Sequence, residues 1–228
     1  MGIIKLPKKH QAQRSQELAA VSNEHLRLFI PNVYQKDIYH IDYQRLWDRG
    51  IRLISFEIDD TIQDSGIDKL QGYLGSGVKM PDTAVALFHS LKEKGFTLAL
   101  LSNTSESIVS DTCKQLGADW YIAHAEKPHN QNFEKLLNHF AVDRSRAAHV
   151  GNSMIDDIYG GNSVGVTTCM VRRAGIIMKA PKGALHILGL QTTGEQIREE
   201  LLSRGMWRKH HLVVKGDQYY QLGERQKG

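Results

Sequence analysis

Two acidic residues follow directly on a short apolar run in the stretch RLISFEIDDTIQDS, residues 52–65. The run ends at Phe56, and Glu57 and Asp59 stand just beyond it. Alternate residues of an extended chain lie on the same face, so we expect the two carboxylates to point the same way. Such a pair suits phosphoryl transfer, because one carboxylate can accept the phosphoryl group while the other protonates the leaving oxygen and then activates water.

Polar residues follow three later apolar runs in the same manner. Ser102 and Asn103 end one run, Lys127 comes a few residues after the next, and Asn152 and Asp157 follow a third. A lysine and a hydroxyl can hold phosphoryl oxygens. Carboxylate oxygens are the hard ligands that Mg²⁺ prefers, and Mg²⁺ takes only a few of them from a protein. The set as a whole therefore predicts a magnesium-dependent site for phosphoryl transfer.

The central part of the chain, from about residue 50 to residue 173, alternates short β-rich apolar runs with helical patterns. Helices are predicted to begin at Asp82, Ser105 and Asn130, and Gly95 and Gly117 fall where two of them should end. The predicted strands are Leu53 to Ile58, Thr97 to Ser102, Trp120 to Ala123, Ala147 to Val150 and Thr167 to Val171.

Strands that alternate with helices at this spacing imply right-handed crossover connections. The predicted fold class is therefore α/β, a Rossmann-like doubly wound parallel sheet with helices on both faces. Sheets of this kind bind ligands at the carboxyl ends of their strands. Each of the polar residues above follows a strand, so we expect them to converge on one edge of the sheet.

The order and separation of these residues resemble the haloacid dehalogenase-like phosphatases. The four motifs of that family are an Asp-x-Asp-x-Thr after the first strand, a Ser or Thr that ends the second, a Lys, and a Gly-Asp followed by a further Asp. The matching stretches read FEIDDTI, LLSNTS, AEKPHN and VGNSMIDDIYGGNSVG, and the resemblance covers roughly residues 28–175. The chain is most similar to the capless subfamily IIIA, in its phosphatidylglycerophosphate-phosphatase-like branch, whose P-x-x-Y ahead of the first strand is matched by PNVYQKDIYHI.

The resemblance implies a role for each matching position. It makes Glu57 the nucleophile, Asp59 the general acid/base, and Ser102 and Lys127 the catalytic contacts to the phosphoryl oxygens. It also implies that Thr61 and Asn103 bind the substrate. The magnesium ligands that it implies are Glu57, Asp59, Asn152 and Asp157.

Two positions depart from the family pattern. Glu57 stands where the family has its nucleophilic Asp, and Asn152 stands where it has the Asp of the Gly-Asp motif. The added methylene of Glu57 moves the attacking oxygen by roughly one ångström, a misplacement that can cost about a hundredfold in rate. Asn152 offers a metal a carbonyl oxygen without a charge, which should weaken binding, and Asp156 is an additional acid that would compensate. A register with Asp59 as the nucleophile is disfavoured, since Thr61 rather than an acid follows two residues later.

Two functions of different classes follow from these residues. The first is a magnesium-dependent phosphohydrolase that acts on a phosphomonoester through an acyl-phosphate, slowly because of Glu57. The alternative is a catalytically inactive pseudo-phosphatase that uses the same crevice to bind a phosphorylated ligand or a protein. The enzyme is slightly favoured, because Asp59, Ser102, Lys127 and Asp157 all remain.

The spacing of the motifs leaves no room for an inserted cap domain. Only 40 residues lie between Thr61 and Ser102, and 24 between Ser102 and Lys127. The resemblance then implies a capless member, and such proteins act on macromolecules or lipid head groups, or borrow a lid from a second subunit of a homo-oligomer. The glycine-rich segment QDSGIDKLQGYLGSGVKMP, residues 63–81, is predicted to be a mobile flap.

The two ends of the chain have patterns of their own. Residues 1–49 are predicted to be a helical lead-in packed on a core domain of residues 50–175, because apolar residues recur at helical spacing between residues 13 and 30. Residues 176–228 are predicted to be an appendage of one helix and a β-hairpin. The basic residues 208–211 would also suit a nucleic-acid wing, but packing or dimerisation is the favoured role.

Composition limits the class of protein. With 228 residues, of which 41% are hydrophobic and 24% charged, the chain can bury a full core. The net charge of +4 is only weak support for an anionic partner. Two cysteines without close spacing indicate neither disulfides nor a thiolate zinc site, and the eleven histidines lack metal-ligand spacing apart from His210 and His211. No apolar window is long enough to span a bilayer, so we expect a cytoplasmic protein, with peripheral membrane association as the alternative.

Overall fold

The computed structural model describes residues 21–63, 79–171 and 190–207. Its centre is a sheet of six strands, and every neighbouring pair of strands is parallel. The strands lie in the order β1-β6-β5-β2-β3-β4. Their bounds are β1 Val33–Gln35, β2 Leu53–Phe56, β3 Thr97–Leu101, β4 Trp120–Ile122, β5 Ala147–Gly151 and β6 Thr167–Val171. The predicted α/β class with a parallel sheet is confirmed.

Helices connect the strands. The α-helices are α1 Asn23–Arg27, α2 Tyr43–Asp48, α3 Asp82–Glu93, α4 Glu106–Leu116, α5 Asn130–His139, α6 Gly160–Val164 and α7 Leu190–Ser203. Short 3₁₀ turns cover Ile38–His40 and Arg144–Arg146, and a π-helical turn covers Met154–Tyr159. The three predicted helix starts agree with α3, α4 and α5. Gly117 ends α4 in the left-handed region with φ of 66°, where glycine carries no steric penalty.

Apolar side chains cover both faces of the sheet. In β2, Ile54 and Phe56 pack on one face with residues of α2, α3 and α4, including Phe88. Leu53 points to the other face and packs with residues of α5, including Phe133. Neighbouring residues of a strand point to opposite faces, so both faces of β2 are buried, as the continuous apolar run predicts.

The first strand of the sheet does not come from the predicted core. β1 lies in the segment predicted to be a helical lead-in, within the P-x-x-Y stretch, and it pairs with β6 at the sheet edge. The strand has three residues, too few to show a period-two pattern in the sequence. Among the described residues of the lead-in, the predicted helix is represented by the five residues of α1.

The C-terminal helix α7 packs on the N-terminal segment. Leu201 and Trp207 share a buried cluster with Leu26 of α1 and Tyr34 of β1. The predicted hairpin after α7, the basic residues 208–211, and residues 64–78 of the predicted flap lie outside the described residues. Within the described ranges, no helix is both long and apolar enough to cross a membrane.

Candidate functional site

The carboxyl ends of β2, β3 and β5 meet at one edge of the sheet. Phe56, the last residue of β2, is level with Leu100 of β3 and Val150 of β5. The next residue, Glu57, continues the ladder by donating its backbone N–H to the carbonyl of Val150 at 2.9 Å. Ser102 stands one residue beyond β3. The parallel register therefore brings Glu57, Ser102 and the turn after β5 together.

The carboxylate of Glu57 is buried and bonded by donors from three parts of the chain. Its Oε1 accepts the hydroxyl of Ser102 at 2.6 Å. The same oxygen accepts the backbone N–H groups of Ile58 at 2.7 Å and Asp59 at 3.3 Å. Its Oε2 accepts the ammonium of Lys127. We call these four donors the anion cradle: the N–H groups of Ile58 and Asp59, the Ser102 hydroxyl and the Lys127 ammonium.

Lys127 joins two buried carboxylates. Besides Glu57, its ammonium bonds Oδ1 of Asp157 at 2.5 Å, and its side chain has no exposed surface. Burial alone would lower the pKa of Lys127, but the carboxylates of Asp157 and Glu57 outweigh it and hold this pKa above the ordinary value. Lys127 is therefore a permanent cation within the site.

Asp157 is held by four donors of the chain itself. Its Oδ2 accepts the backbone N–H groups of Asn152 at 2.9 Å and Ser153 at 2.8 Å. Its Oδ1 accepts Nε2 of His149 at 3.1 Å as well as Lys127. Burial would raise the pKa of Asp157, yet the Lys127 charge and the His149 hydrogen bond hold it well below the usual range. Asp157 therefore stays ionised at neutral pH.

The remaining predicted site residues lie around this centre. Asn103 holds the Lys127 backbone, since its Oδ1 accepts the Lys127 N–H at 2.9 Å and its Nδ2 donates to the Lys127 carbonyl at 3.3 Å. Nδ2 of Asn152 donates to the backbone carbonyl of Asp59 at 3.4 Å. Thr61 is buried, and its hydroxyl oxygen has no hydrogen-bond partner among the described residues. The roles assigned to these residues stay predictions.

The four predicted magnesium ligands do not form a cation site in this conformation. Each oxygen of Glu57 and of Asp157 already accepts from the chain, and the ammonium that bridges them is a positive charge that would repel a metal ion. Across residues 21–63, 79–171 and 190–207, no three acidic, histidine or cysteine side chains are arranged so that they could hold a metal ion. The described arrangement does not fit Mg²⁺, and the assignment of Glu57, Asp59, Asn152 and Asp157 as ligands stays a prediction.

His149 contributes to the site without having been predicted. It is fully buried in β5, between Asp157 and the hydroxyl of Ser55, which lies 2.8 Å from its Nδ1. Its place in the otherwise apolar run AAHVG is the signal in the sequence that could have revealed it. His124 and His129, which flank Lys127 in sequence, are exposed.

Glycines near the site are needed for close packing. A Cβ atom on Gly151 would lie 2.2 Å from Cγ of Asp157. A Cβ atom on Gly160 would lie 2.9 Å from the ring of Phe133, and one on Gly161 would lie 2.7 Å from Thr168. Gly160 therefore lets α6 pack closely on α5, Gly161 lets α6 pack closely on β6, and Gly151 makes room for the Asp157 carboxylate.

Comparison with known proteins places these features in a family. A family model described as a haloacid dehalogenase-like hydrolase matches residues 18–165, almost two thirds of the chain. The chain is 24% identical over 145 residues to the probable phosphatase YqeG of Bacillus subtilis strain 168, an alignment that covers 64% of this chain and 78% of that protein.

Two further proteins are similar to this chain, one over a shorter alignment and one at lower sequence identity. The glyceraldehyde 3-phosphate phosphatase of Pyrococcus abyssi is 30% identical over 86 residues, which is 34% of this chain and 36% of that protein. The crystal structure of a HAD phosphatase from Thermococcus onnurineus is 17% identical, with 55% of this chain and 88% of that chain covered at a TM-score of 0.45.

Proposed function

The chain belongs to the haloacid dehalogenase-like hydrolase family, and from that premise we propose that it is a phosphohydrolase that cleaves phosphomonoesters at the crevice around Glu57. The observation that carries the proposal is the anion cradle. Two backbone N–H groups, a hydroxyl and an ammonium that converge on the two oxygens of one carboxylate are the donors that a phosphoryl group requires.

Each residue has a chemical task in this proposal. An oxygen of Glu57 attacks phosphorus, and the ester oxygen leaves with a proton from Asp59. Asp59 then takes a proton from water, which attacks the phosphorus of the acyl-phosphate and regenerates Glu57. Ser102 and Lys127 hold the phosphoryl oxygens throughout, and Asn103 holds the Lys127 backbone in place.

Magnesium has no step in this account, because the described carboxylates are bonded by donors of the chain. The sequence-based expectation of Mg²⁺ is tested by thermal unfolding of the protein during a magnesium titration. A metal that binds only the folded state raises the unfolding temperature by mass action. A rise at millimolar Mg²⁺ would show that the carboxylates rearrange around the ion.

The substrate class is inferred from the branch that the chain resembles. The stretch of 24 residues between Ser102 and Lys127 holds only α4 and β4 as helix and strand, with no inserted domain. We infer a capless site open to large substrates, and we propose phosphatidylglycerophosphate, with its phosphomonoester on a lipid head group, as the first candidate. A cytoplasmic protein that works at a membrane surface is consistent with that candidate.

Hydrolysis of p-nitrophenyl phosphate and of phosphatidylglycerophosphate, each with and without Mg²⁺, tests the proposed function. We expect slow release of phosphate by the native protein and none by Asp59→Asn. Glu57→Asp should be faster by about a hundredfold, because it restores the position of the attacking oxygen. Silence of both the native protein and Glu57→Asp, with both folded, would contradict the proposed hydrolysis of these two phosphomonoesters.

A second function is favoured by one observation. Because the oxygens of both Glu57 and Asp157 are taken by donors of the chain, the resting site is well suited to be a fixed structure without turnover. The alternative is therefore an inactive pseudo-phosphatase that binds a phosphorylated ligand or a protein. It predicts no hydrolysis by any variant and binding of a phosphomonoester by the native protein.

A further inference from the structure

The anion cradle already holds an anion, and that anion belongs to the chain. All four of its donors bond the carboxylate of Glu57, which is 7% exposed. Two of the donors are the N–H groups of the residues that immediately follow Glu57. The side chain therefore folds back over its own backbone, and its two methylene groups determine the position of the carboxylate.

We propose that the Glu57 carboxylate is a built-in ligand of the cradle, and that phosphate or a phosphomonoester binds only when this carboxylate moves out. The proposal rests on the proposed function only in taking the cradle as the phosphate site. It makes Glu57 an autoinhibitory contact in the resting protein.

Charge supports competition between Glu57 and an added anion. With Glu57 in place, the single positive charge of Lys127 faces two carboxylates, those of Glu57 and Asp157. An incoming phosphate would then be repelled by the net negative charge of this centre, and the donors that could bind it are already bonded to Glu57. Without the Glu57 carboxylate, the charges of Lys127 and Asp157 balance, while the Ile58 N–H and the Ser102 hydroxyl lose the acceptor that they have in the native protein. Unpaired buried donors are costly, so they favour the binding of an external oxyanion.

Geometry makes the length of the side chain decisive. An aspartate at this position would place its carboxylate about 1.5 Å nearer the backbone, one carbon–carbon bond. It could not occupy the same point between the Ser102 hydroxyl and the Lys127 ammonium. Shortening the residue while keeping its charge therefore opens the cradle.

Binding of inorganic phosphate, measured by isothermal titration calorimetry and thermal unfolding at constant ionic strength, tests the proposal. We expect Glu57→Ala to bind phosphate at least about tenfold more tightly than the native protein, the effect of gaining one or more charge-assisted hydrogen bonds. Glu57→Asp should lie between them. Glu126→Ala is the matched control, because it removes the same charge beside Lys127 from an exposed position and should leave phosphate binding unchanged.

Further variants keep the outcome clear. In Glu57→Ala with Ser102→Ala, the gain should be largely lost, which shows that phosphate occupies the cradle rather than the surface. If Glu57→Ala does not fold, Glu57→Asp serves instead, because it shortens the side chain and keeps the charge. The proposal is overturned if the native protein binds phosphate as tightly as these variants, or if folded variants bind none. Phosphate binding is read without turnover, so a failure of hydrolysis alone would count against the proposed function and not against this inference.

Discussion

Lys127 determines the electrostatics of the site, because its ammonium bonds two buried carboxylates at once. Neither Glu57 nor Asp157 has another full positive charge bonded to it in the described structure, since His149 is held neutral by burial, which lowers its pKa. Buried carboxylates without a cation are strongly disfavoured. The site therefore depends on this one side chain for stability as well as for any function.

Replacing Lys127 by methionine should destabilise the protein by about 3–5 kcal/mol, the usual cost of removing one partner from a buried ion pair. The measurement is the free energy of unfolding from urea denaturation. Lys92→Met is the control, since Lys92 pairs with Asp119 at 2.6 Å on a partly exposed surface. Such pairs contribute about 0–1 kcal/mol, so equal losses in the two variants would contradict the central role of Lys127.

His149 makes the stability depend on pH. Burial lowers its pKa below the ordinary value, although the hydrogen bond to Asp157 acts in the opposite direction. The unfolded chain therefore binds a proton at His149 more readily than the folded protein does. The contribution of His149 to the stability of the fold is therefore present above the unfolded pKa of about 6.5, and it is lost as the pH falls below that value.

The measurement is the free energy of unfolding between about pH 7 and pH 5 for the native protein and for His149→Gln. We expect the native stability to fall with pH in this window, and the variant to show a flatter dependence because it cannot take up the proton. Parallel curves for the two proteins would show that His149 is not the titrating group.

The short loop between β5 and the π-helical turn positions the acidic residues on one side of the site. Gly151 ends β5, and the N–H groups of the next two residues bond Oδ2 of Asp157. Ser153 caps the following turn by accepting the N–H of Asp156 at 3.1 Å. Burial and the charge of Asp157 raise the pKa of Asp156 above its ordinary value.

Gly151→Ala should displace the Asp157 carboxylate, because its Cβ atom would lie 2.2 Å from Cγ of Asp157. We expect a loss of stability of about 1–3 kcal/mol, typical of overpacking, together with loss of phosphate binding in the Glu57→Ala background. Urea denaturation and calorimetry provide the two readings.

Gly194→Ala is the matched control for this change. Gly194 lies inside α7, and apart from the backbone of that helix no described atom lies within 4 Å of an added Cβ. Alanine at such a helix position should stabilise the protein by about 0.5–1 kcal/mol. A Gly151→Ala variant as stable as the native protein would mean that the turn can rearrange.

At the scale of the whole molecule, the described residues before β2, which begin at Val21, form one packed unit with residues 190–207. The guanidinium of Arg204 donates to the carbonyl of Val21 and to Oδ1 of Asn23, both at 2.8 Å. Leu26 and Leu201 are fully buried in the cluster that joins them. Since β1 of the N-terminal segment belongs to the central sheet, this unit is continuous with the core.

Leu201→Ala should therefore destabilise the entire fold by about 2–5 kcal/mol, the cost of a cavity at a fully buried leucine. The test compares urea unfolding followed by far-ultraviolet circular dichroism with unfolding followed by tryptophan fluorescence. We expect both probes to show a single transition, shifted to a lower urea concentration. An unshifted main transition beside an early small one would show that α7 unfolds as a separate appendage.

Much of the fold could be predicted because its signals are local. The bounds of β2 to β6 are within two residues of the predicted strands, and the predicted helix starts at Asp82, Ser105 and Asn130 are within one residue of the observed ones. β1 could not be predicted in this way, because three residues at a sheet edge carry no measurable pattern. Its place in the sheet depends on pairing with β6, more than a hundred residues away.

The sequence by itself determined the α/β class, the order along the chain of the five strands β2 to β6, and the edge of the sheet where polar residues meet. Those features follow from periodicity and from the handedness of crossover connections, which do not depend on distant contacts. Only the tertiary structure decided what the polar residues do to one another. The carboxylate of Glu57 is set by Ser102, 45 positions away, and by Lys127, 70 positions away. Such contacts depend on which strands lie side by side in the sheet. In our proposal, a difference of one methylene then decides whether the cradle is filled or open.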